Sequence, residues 1–333
     1  MKQVPEKDIT EAVKQFDYKN QINEKEDISG HNNRIFKVKL EDKTVICKSC
    51  VGTKPKQDCR KEVGMNQLLK RRTSVKTPEL LYSNPSTDKT EYPFFITEYI
   101  DGKSLQDSFP ELNAENQVEI VEQAGQILGE VHSEISFQHA GELKPENEGI
   151  KVDRESNWIE YIVEELNQAI EKAEDTRFKD LTGKADNVVA KLSQLEEPEK
   201  TLVFYDFRPD NVITEDGKIK ALIDFERAWS GDPLWDYAYS EMSFVEPYHY
   251  FTMHKPRKAG DAELREVFQK GYEQEEQLGT GWRRKVKLYK LGIIIKGFIT
   301  FKGFTEGMEM SEEEINRQEK LLRTAFGRLF ESV

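Results

Sequence analysis

Residues 201–239 constrain the fold of this chain more than any other segment does. The segment begins with an apolar, β-prone run, which is followed by a polar loop that ends at Asn211. Two further β-prone runs flank a turn sequence at 215–217, and the second of them ends at Asp224. Because a hairpin brings its two flanking loops to one end, we expect Asp206, Asn211 and Asp224 to lie close together.

The side chains that this hairpin gathers are suited to phosphoryl transfer. Carboxylate and amide oxygens suit Mg²⁺, which takes one or two carboxylates and completes its shell with water and nucleotide phosphates. In phosphoryl transfer a catalytic-loop Asp orients the nucleophile, an Asn five residues later holds metal, and a later Asp connects the metal to the phosphates. Asp206, Asn211 and Asp224 have this order and spacing. Single acidic residues in turns are commonly only solvated, so the hypothesis depends on the joint pattern.

In these residues the chain resembles the aminoglycoside phosphotransferase and choline kinase-like family of small-molecule kinases, which are distant relatives of protein kinases. The resemblance implies that Asp206 is the catalytic base and that Asn211 and Asp224 are magnesium ligands. It extends to the later motif GDPLWDYA, in which Asp232 and Asp236 are expected to tie a helix of the C-lobe to the catalytic loop.

Two residues beside Asp206 differ from the usual family pattern. The family usually has His two residues before the catalytic Asp, where this chain has Phe204, so the bracing of the catalytic loop is in question. Arg208 stands where many members have His. As a catalytic residue it would add positive charge near the transferred phosphate, and the alternative is an ordinary surface arginine.

A nucleotide-binding lobe is expected upstream of this segment. A turn-rich stretch precedes alternating apolar residues at 35–40, and a second strand begins at Thr44. Lys48 follows the apolar part of that strand and occupies the place of the kinase lysine that contacts the phosphates. A helix predicted at 58–71 carries Glu62, a suitable partner for this lysine.

Two further segments complete the expected nucleotide site. The family pattern G-x-x-N-x-x-F/Y-x-V is met from Gly30 onward, and the resemblance implies that Gly30 and Asn33 contact the nucleotide, although a single glycine makes a weak phosphate cradle. The aromatic-rich strand at 92–102 would lead into a hinge, where the resemblance places the carbonyl of Thr97 and the amide of Tyr99 beside the adenine. Because backbone groups would make these contacts, they do not distinguish ATP from GTP.

The remainder of the chain is predicted to be mainly helical, with helices at 115–133, 157–174, 181–195, 262–278, 282–301 and 311–330. Lys296 and Gly297 interrupt the apolar part of the 282–301 helix, which favours a buried helix over a membrane span. The predicted fold class is therefore α+β: a bilobal protein-kinase-like fold, with a small β-rich nucleotide-binding N-lobe at 1–100 and a larger helical C-lobe at 101–333.

Composition and charge narrow the class of protein. A formal net charge of −13 over 333 residues disfavours duplex nucleic acid as a partner, since polyanion binding depends on clustered Lys and Arg. The chain has no leading apolar segment, so neither a secretory signal nor a membrane anchor is expected. We expect a cytoplasmic enzyme, a monomer or a homodimer. Its acidity would attract a cationic substrate, or it serves solubility alone.

The three cysteines are not expected to bind metal. Cys47 and Cys50 form C-x-x-C, but Cys59 is the only other cysteine, so no second pair completes a zinc site. We expect reduced structural thiols. His132 lies on the apolar face of a predicted helix, which indicates a structural role.

The predicted activity is transfer of the γ-phosphoryl group of ATP, with Mg²⁺, to a hydroxyl of a small molecule. Aminoglycosides, aminosugars, sugars and amino alcohols such as choline all stay open as acceptors. Asp210, Glu226 and Glu241 would either pair with amines of the acceptor or be solvated. The alternative is a nucleotide-binding, pseudokinase-like scaffold without turnover, which Phe204 and the glycine-poor loop favour. The complete set of kinase residues argues against this alternative.

Overall fold

The computed structural model describes residues 4–17, 19, 21–29, 33–146, 149–153, 155–246 and 257–333. Gly30, predicted to contact the nucleotide, lies outside these residues. The α+β class is confirmed, since the N-terminal part is rich in sheet and the C-terminal part is helical. The chain divides into two compact units of interleaved segments: unit 1 is Met1–Ser104, Leu143–Lys151 and Asn211–Arg227, and unit 2 is Leu105–Glu142, Val152–Asp210 and Ala228–Val333. Two consecutive lobes with a boundary at residue 100 stay a prediction.

The strands in chain order are β1 (Glu24–Asp27), β2 (Arg34–Lys39), β3 (Thr44–Ser49), β4 (Leu80–Asn84), β5 (Phe94–Glu98), β6 (Lys103–Ser104), β7 (Ser136–Phe137), β8 (Gly141–Glu146), β9 (Gly149–Val152), β10 (Lys200–Val203), β11 (Val212–Glu215), β12 (Lys218–Leu222) and β13 (Trp229–Gly231). The helices are α1 (Glu6–Phe16), α2 (Pro55–Arg72), α3 (Leu105–Ser108), α4 (Ala114–Glu134), α5 (Trp158–Ala173), α6 (Thr182–Leu192), α7 (Pro233–Phe244), α8 (Asp261–Glu273), α9 (Trp282–Gly307) and α10 (Glu312–Phe330).

Unit 1 is built on an antiparallel sheet with the strand order β1-β2-β3-β5-β4. Alternating residues of its strands, among them Val38 and Val45, are buried in one core, to which α1 adds Ile9 and Val13. This period of two is the reason that the sequence pattern predicted strands in this region. Lys48 belongs to β3 and pairs in register with Phe95 of β5.

A second sheet of unit 1 carries the predicted hairpin, with the strand order β12-β11-β6. The turn between β11 and β12 is made by Asp216 and Gly217, whose φ angles are 52° and 72°. Positive φ at both central residues is typical of the two-residue turns that join twisted antiparallel strands. The amide of Leu222 also donates to the carbonyl of Lys76 at 2.9 Å, so the hairpin is held to the segment that follows α2.

Unit 2 consists mainly of packed helices, with the short paired strands β7, β10 and β13. Its helices α4 and α8 approach very closely. A Cβ atom built at Gly125 would lie 2.1 Å from the carbonyl oxygen of Phe268, and one at Gly271 would lie 2.1 Å from that of Glu122. Only glycine allows this approach of the two backbones. The predicted helices are present with shifted ends, and α9 extends to Gly307, beyond the predicted end at residue 301.

The burial of the cysteines and the character of the helices each bear on a prediction from the sequence. Cys47, Cys50 and Cys59 are free and buried, and the last two lie in a small apolar cluster beside Phe95, which confirms structural thiols. None of the helices in the described part of the chain is long and apolar enough to cross a membrane.

Candidate active site

The predicted lysine and glutamate form a buried ion pair in unit 1. Nζ of Lys48, on β3, donates to Oε1 of Glu62, on α2, at 2.8 Å. The same nitrogen lies 3.1 Å from Oδ1 of Asp224, which follows β12. Lys48 and Glu62 are both buried, so water screens this pair little. Lys48 therefore contacts both Glu62, on the helix that follows its strand, and Asp224, which lies 176 residues later in the chain.

The charges around Lys48 are not balanced within this cluster. Burial lowers the pKa of Lys48, but the charges of Glu62, Asp224 and Glu226 outweigh this effect, and the pKa is raised. Burial raises the pKa of Glu62 to about 7, with Lys48 opposing the shift and the two other carboxylates adding to it. Oxygens of the three carboxylates lie within 4.8 Å of one another. One lysine thus faces three carboxylates, an arrangement that favours a further cation.

The two predicted metal ligands lie on loops that a hydrogen bond joins. Asn211 is buried immediately before β11, and its carbonyl accepts the amide of Ile223 at 3.0 Å. Asp224 follows Ile223 with a left-handed φ of 67°, which Asp tolerates better than most residues. With Glu226 nearby, the donors available in unit 1 are hard oxygens of the kind that Mg²⁺ prefers. Glu226, which was expected to pair with an acceptor amine or to be solvated, instead belongs to the carboxylate cluster with Asp224.

Part of the charged cluster around Lys48 lines a cavity of about 270 Å³ in unit 1. Lys48, Glu62 and Asp224 line it together with Thr97 and Tyr99, the two residues predicted beside the adenine. Its apolar lining consists of Ile28, Ile35, Ile46, Val63, Pro78, Leu80, Phe95, Ile100, Ile213, Ile223 and Phe225. An apolar cavity with charged groups at its wall can accept a planar ring and an anionic group of one ligand.

Asn33 uses its side chain within unit 1. Its Nδ2 donates to Oε2 of Glu226 at 2.5 Å, and its Oδ1 accepts the amide of Val51 at 3.4 Å. Asn33 is buried, and it fixes the segment before β2 against the carboxylate cluster. Contact between Asn33 and a nucleotide stays a prediction, as does the role of Gly30.

Asp206, the predicted base, lies in unit 2 and is held by two neighbouring groups. The hydroxyl of Tyr239, on α7, donates to its Oδ1 at 3.0 Å. Nε of Arg208 lies 3.0 Å from the same oxygen, and Nη1 of Arg208 lies 2.7 Å from Oδ2 of Asp210. Only 20% of the Arg208 side chain is exposed, so it is not an ordinary surface arginine. Burial raises the pKa of Asp210, and Arg208 offsets only part of that rise.

The loop before Asp206 is braced through its backbone. The buried carboxylate of Asp236 accepts the amides of Phe204 and Tyr205 at 2.7 and 3.0 Å. Tyr205 has a φ of 62°, which is unusual for a bulky residue, and its hydroxyl accepts Nζ of Lys296 at 2.9 Å. These contacts answer the question that Phe204 raised, since the loop is held without a histidine at that position. His132 is buried behind Asp236, at 3.6 Å, which agrees with a structural role.

Asp232 and Asp236 have different partners. Asp236 ties α7 to the catalytic loop, as predicted. Asp232 caps α7 by accepting the amide of Leu234 at 2.9 Å, and its Oδ2 lies 2.5 Å from both the Tyr289 hydroxyl and Nζ of Lys285 on α9. The expectation for Asp232 was wrong, because its partner is a neighbouring helix that local sequence does not reveal.

Glu241 is buried and not solvated, contrary to one of the two alternatives, and its pairing with an acceptor amine stays a prediction. Its carboxylate is 3% exposed and lies 2.8 Å from Nε of Arg265 and 2.8 Å from Nζ of Lys290. Two internal cations thus neutralise it. The charge of Asp210 is likewise paired, with Arg208, whereas Glu226 accepts a hydrogen bond from the neutral amide of Asn33 and keeps its charge within the carboxylate cluster.

Comparison with known proteins gives a family match that spans most of the chain. The model of the phosphotransferase enzyme family matches residues 25–284, a range that contains every predicted site residue. A sequence comparison with curated proteins found no match.

Solved structures share the fold at low sequence identity. A candidate aminoglycoside phosphotransferase from Ralstonia eutropha JMP134 is 17% identical with a TM-score of 0.68, over 99% of this chain and 98% of that one. The apo form of a thermostable mutant of the aminoglycoside phosphotransferase APH(4)-Ia is 16% identical with a TM-score of 0.61, over 97% and 100%. The ternary complex of APH(2")-IIa with streptomycin and ATP is 15% identical with a TM-score of 0.60, over 99% of each chain.

The family match covers well over half of the chain, and the structural likeness shows that the protein-kinase-like fold extends over nearly all of it. The chain therefore belongs to the phosphotransferase enzyme family and is a kinase enzyme that acts on a hydroxyl group.

Proposed function

We propose that this protein transfers the γ-phosphoryl group of ATP to a hydroxyl of a small molecule, with Mg²⁺ as cofactor, in the cytoplasm. The observation that carries the proposal is the contact of the Lys48–Glu62 pair with Asp224 at the wall of an apolar cavity. Phosphoryl transfer depends mainly on positioning and electrostatics, and this cluster supplies both.

The cavity of unit 1 is the proposed nucleotide site. The adenine would lie among its apolar side chains, close to the backbone of Thr97 and Tyr99. The phosphates would lie toward Lys48, whose positive charge is retained because three carboxylates surround it. Glu62 holds the ammonium group of Lys48 in place, so the lysine is oriented before the nucleotide binds.

Asp224 and Asn211 are the proposed magnesium ligands, with Glu226 as a further nearby carboxylate. The oxygen donors and the excess of negative charge in this cluster fit a divalent cation. When bound, Mg²⁺ would neutralise charge on the phosphate oxygens. The hydrogen bond from Ile223 to the carbonyl of Asn211 keeps the two ligand-bearing loops in register.

Asp206 is the proposed base for the acceptor. Its carboxylate would accept the hydrogen bond of the acceptor hydroxyl and take its proton as the phosphoryl group transfers. Tyr239 and Arg208 fix the orientation of this carboxylate, and Asp236 holds the backbone that carries it. Arg208 would act by positioning Asp206 as well as by charge.

The acceptor is proposed only as a class. The aminoglycoside phosphotransferases that share the fold act on aminoglycosides by name, which supports a hydroxyl-bearing aminosugar as a candidate. Sugars and amino alcohols such as choline are equally compatible with the described residues, because Asp210 and Glu241 are already paired with cations of the protein.

The decisive experiment is a transfer screen with the purified chain. The protein is incubated with γ-³²P-ATP or γ-³²P-GTP, with and without Mg²⁺, against panels of aminoglycosides, sugars and amino alcohols. We expect Mg²⁺-dependent labelling of at least one acceptor, and labelling that is roughly 10²–10⁴-fold slower with the Asp206→Asn variant under the same conditions. Mg²⁺-dependent tightening of ATP binding without labelling of any acceptor would instead indicate the nucleotide-binding scaffold.

A further inference from the structure

Unit 2 contains a cavity of about 560 Å³ that is formed without any residue proposed for phosphoryl transfer. It lies among α7, α8, α9 and α10, and its lining combines the apolar side chains of Trp282 and Val286 with several charged side chains. Its volume is in the range of sites that bind small organic molecules.

One wall of this cavity is an ion-pair network that is neutral within itself. Glu241 and Glu246 each contact both Arg265 and Lys290, at nitrogen to oxygen distances between 2.6 and 3.1 Å. Burial raises the pKa of Glu246, but Lys290 and Arg265 outweigh this, and the pKa is lowered. Two cations and two carboxylates therefore cancel, and this wall leaves no excess charge.

The other charged residues of the lining are all cations. Arg283 and Lys287 lie one turn apart on α9, and Arg328 lies on α10. None of the three forms an ion pair with another residue that the structure describes, and Arg283 lies over the ring of Trp282 at 4.6 Å. Arg283 and Arg328 are exposed and Lys287 is half-buried, so three positive charges line the solvent-facing side of the cavity.

The beginning of α9 gives a second, independent indication. The helix starts at Trp282 after Gly281, with no side-chain cap and no acidic residue in its first turn. Instead it carries Arg283, Arg284 and Lys285, although positive charge at a helix N-terminus opposes the helix dipole. Asp232 compensates Lys285 at 2.5 Å, but Arg283 has no such carboxylate among the described residues. A local sequence that works against its own helix is typical of a functional site.

We propose that this cavity binds an organic anion. Its phosphate or carboxylate group would contact Arg283, Lys287 and Arg328, and its apolar or aromatic part would lie against Trp282 and Val286. The ligand supplies the negative charge that the first turn of α9 lacks. This is a second binding site of the enzyme, separate from the residues for nucleotide binding and for phosphoryl transfer.

The test uses 1-naphthyl phosphate as the probe, because it joins a phosphate to an aromatic body. Binding to the full chain is measured by isothermal titration calorimetry in the presence of saturating ADP, which would occupy the proposed nucleotide site of unit 1. We expect one site, and affinity that falls as NaCl rises from about 50 mM to about 500 mM. Neutral 1-naphthol should bind at least about tenfold more weakly. A comparison with 1-naphthoate shows whether the preferred head group is phosphate or carboxylate, and binding of either anion supports the site.

Matched variants locate the probe. Arg283→Gln and Arg328→Gln should each weaken binding about three- to tenfold, and the double variant more than tenfold. The controls are Arg284→Gln and Arg317→Gln, which remove the same charge from exposed positions of α9 and α10 outside the cavity. They should change affinity less than about twofold. Arg283→Gln should also raise the Tm of the ligand-free protein, since it removes positive charge from the helix start.

Two results would overturn the proposal. One is equal affinity for naphthyl phosphate and naphthol. The other is wild-type affinity in the double variant, which would assign the probe to another site. The dependence of probe affinity on NaCl in the wild-type protein tests, without any substitution, whether positive charge contributes to binding.

Discussion

The hydroxyl of Tyr239 donates a 3.0 Å hydrogen bond to Oδ1 of Asp206. Tyr239 lies on α7, the same helix from which Asp236 holds the backbone amides that precede Asp206. One helix thus fixes both the side chain and the main chain of the proposed base.

Tyr239→Phe should therefore lower kcat about three- to tenfold, because a hydrogen bond from a neutral hydroxyl that orients the Asp206 carboxylate is lost. The KM for ATP should change little, since Tyr239 makes no part of the cavity in unit 1. Steady-state kinetics at saturating acceptor measure both values. Tyr82→Phe, which removes a hydroxyl from the sheet of unit 1, is the control. Unchanged kcat in Tyr239→Phe would remove Tyr239 from the orientation of Asp206.

Lys48→Ala should raise the KM for ATP and lower kcat. A phosphate contact is lost, and Glu62 is left buried without its counter-ion, which costs about 3–5 kcal/mol of folding stability when a buried pair is broken. Kinetics and urea unfolding measure the two effects. Lys39→Ala, an exposed lysine on the neighbouring strand β2, should change neither. Wild-type kinetic parameters in Lys48→Ala would make Lys48 an ordinary strand residue.

Asp224 and Asp206 should separate metal binding from proton transfer. Asp224→Ala should abolish the tightening of ATP binding by Mg²⁺, because the proposed ligand carboxylate is lost. Asp206→Asn should keep that tightening yet slow transfer roughly 10²–10⁴-fold, the usual contribution of a positioned proton acceptor. Nucleotide affinity and kcat at saturating Mg²⁺ are the measurements. An equal loss of metal-linked binding in both variants is incompatible with this division of roles.

Asp236→Ala should destabilise the fold by about 2–5 kcal/mol, because two buried amides lose their acceptor. The same change should lower kcat, since the loop that carries Asp206 is no longer held. Urea unfolding gives the stability change, and Asp186→Ala, at an exposed position of α6, serves as the control. Wild-type stability in Asp236→Ala would show that the loop is held by other contacts.

Glu246→Gln should destabilise the protein in a pH-dependent manner. Lys290 and Arg265, with Glu241 beside them, face Glu246 and hold its pKa below the ordinary value of 4.5. A carboxyl with a lowered pKa stabilises the fold above its unfolded pKa, and this contribution is lost as the pH falls through its folded pKa. The difference in unfolding free energy between wild type and variant should therefore be roughly 3 kcal/mol at neutral pH. It should shrink below about pH 4, and a difference independent of pH would contradict the ion-pair explanation.

The sequence predicted those parts of the site whose positions depend on residues that are close together in the chain. The alternation of apolar residues predicts the strand that carries Lys48, and the helix that carries Glu62 follows this strand after a short loop. Their pairing could therefore be expected. Asp216 and Gly217 tolerate the positive φ angles that the hairpin turn requires. The hairpin in turn sets the positions of Asn211 and Asp224 at its other end.

The contacts that the sequence did not predict join helices far apart along the chain. Glu241 reads as one more exposed acid until α8 and α9 bring Arg265 and Lys290 to it. Asp232 belongs to the same sequence motif as Asp236, but its carboxylate pairs with Lys285 of α9. No local periodicity encodes which helix packs on which, so buried ion pairs of this kind appear only in the folded structure.

The left-handed backbone at Tyr205 limits what substitution can improve at this position. Glycine or asparagine would adopt its φ of 62° with less strain, and so would favour folding. Either residue would delete the phenol that anchors the loop to Lys296 on α9. Selection for a more heat-resistant enzyme and selection for an ordered catalytic loop would therefore oppose each other at residue 205, and a thermostable variant obtained by changing it should be a slower catalyst.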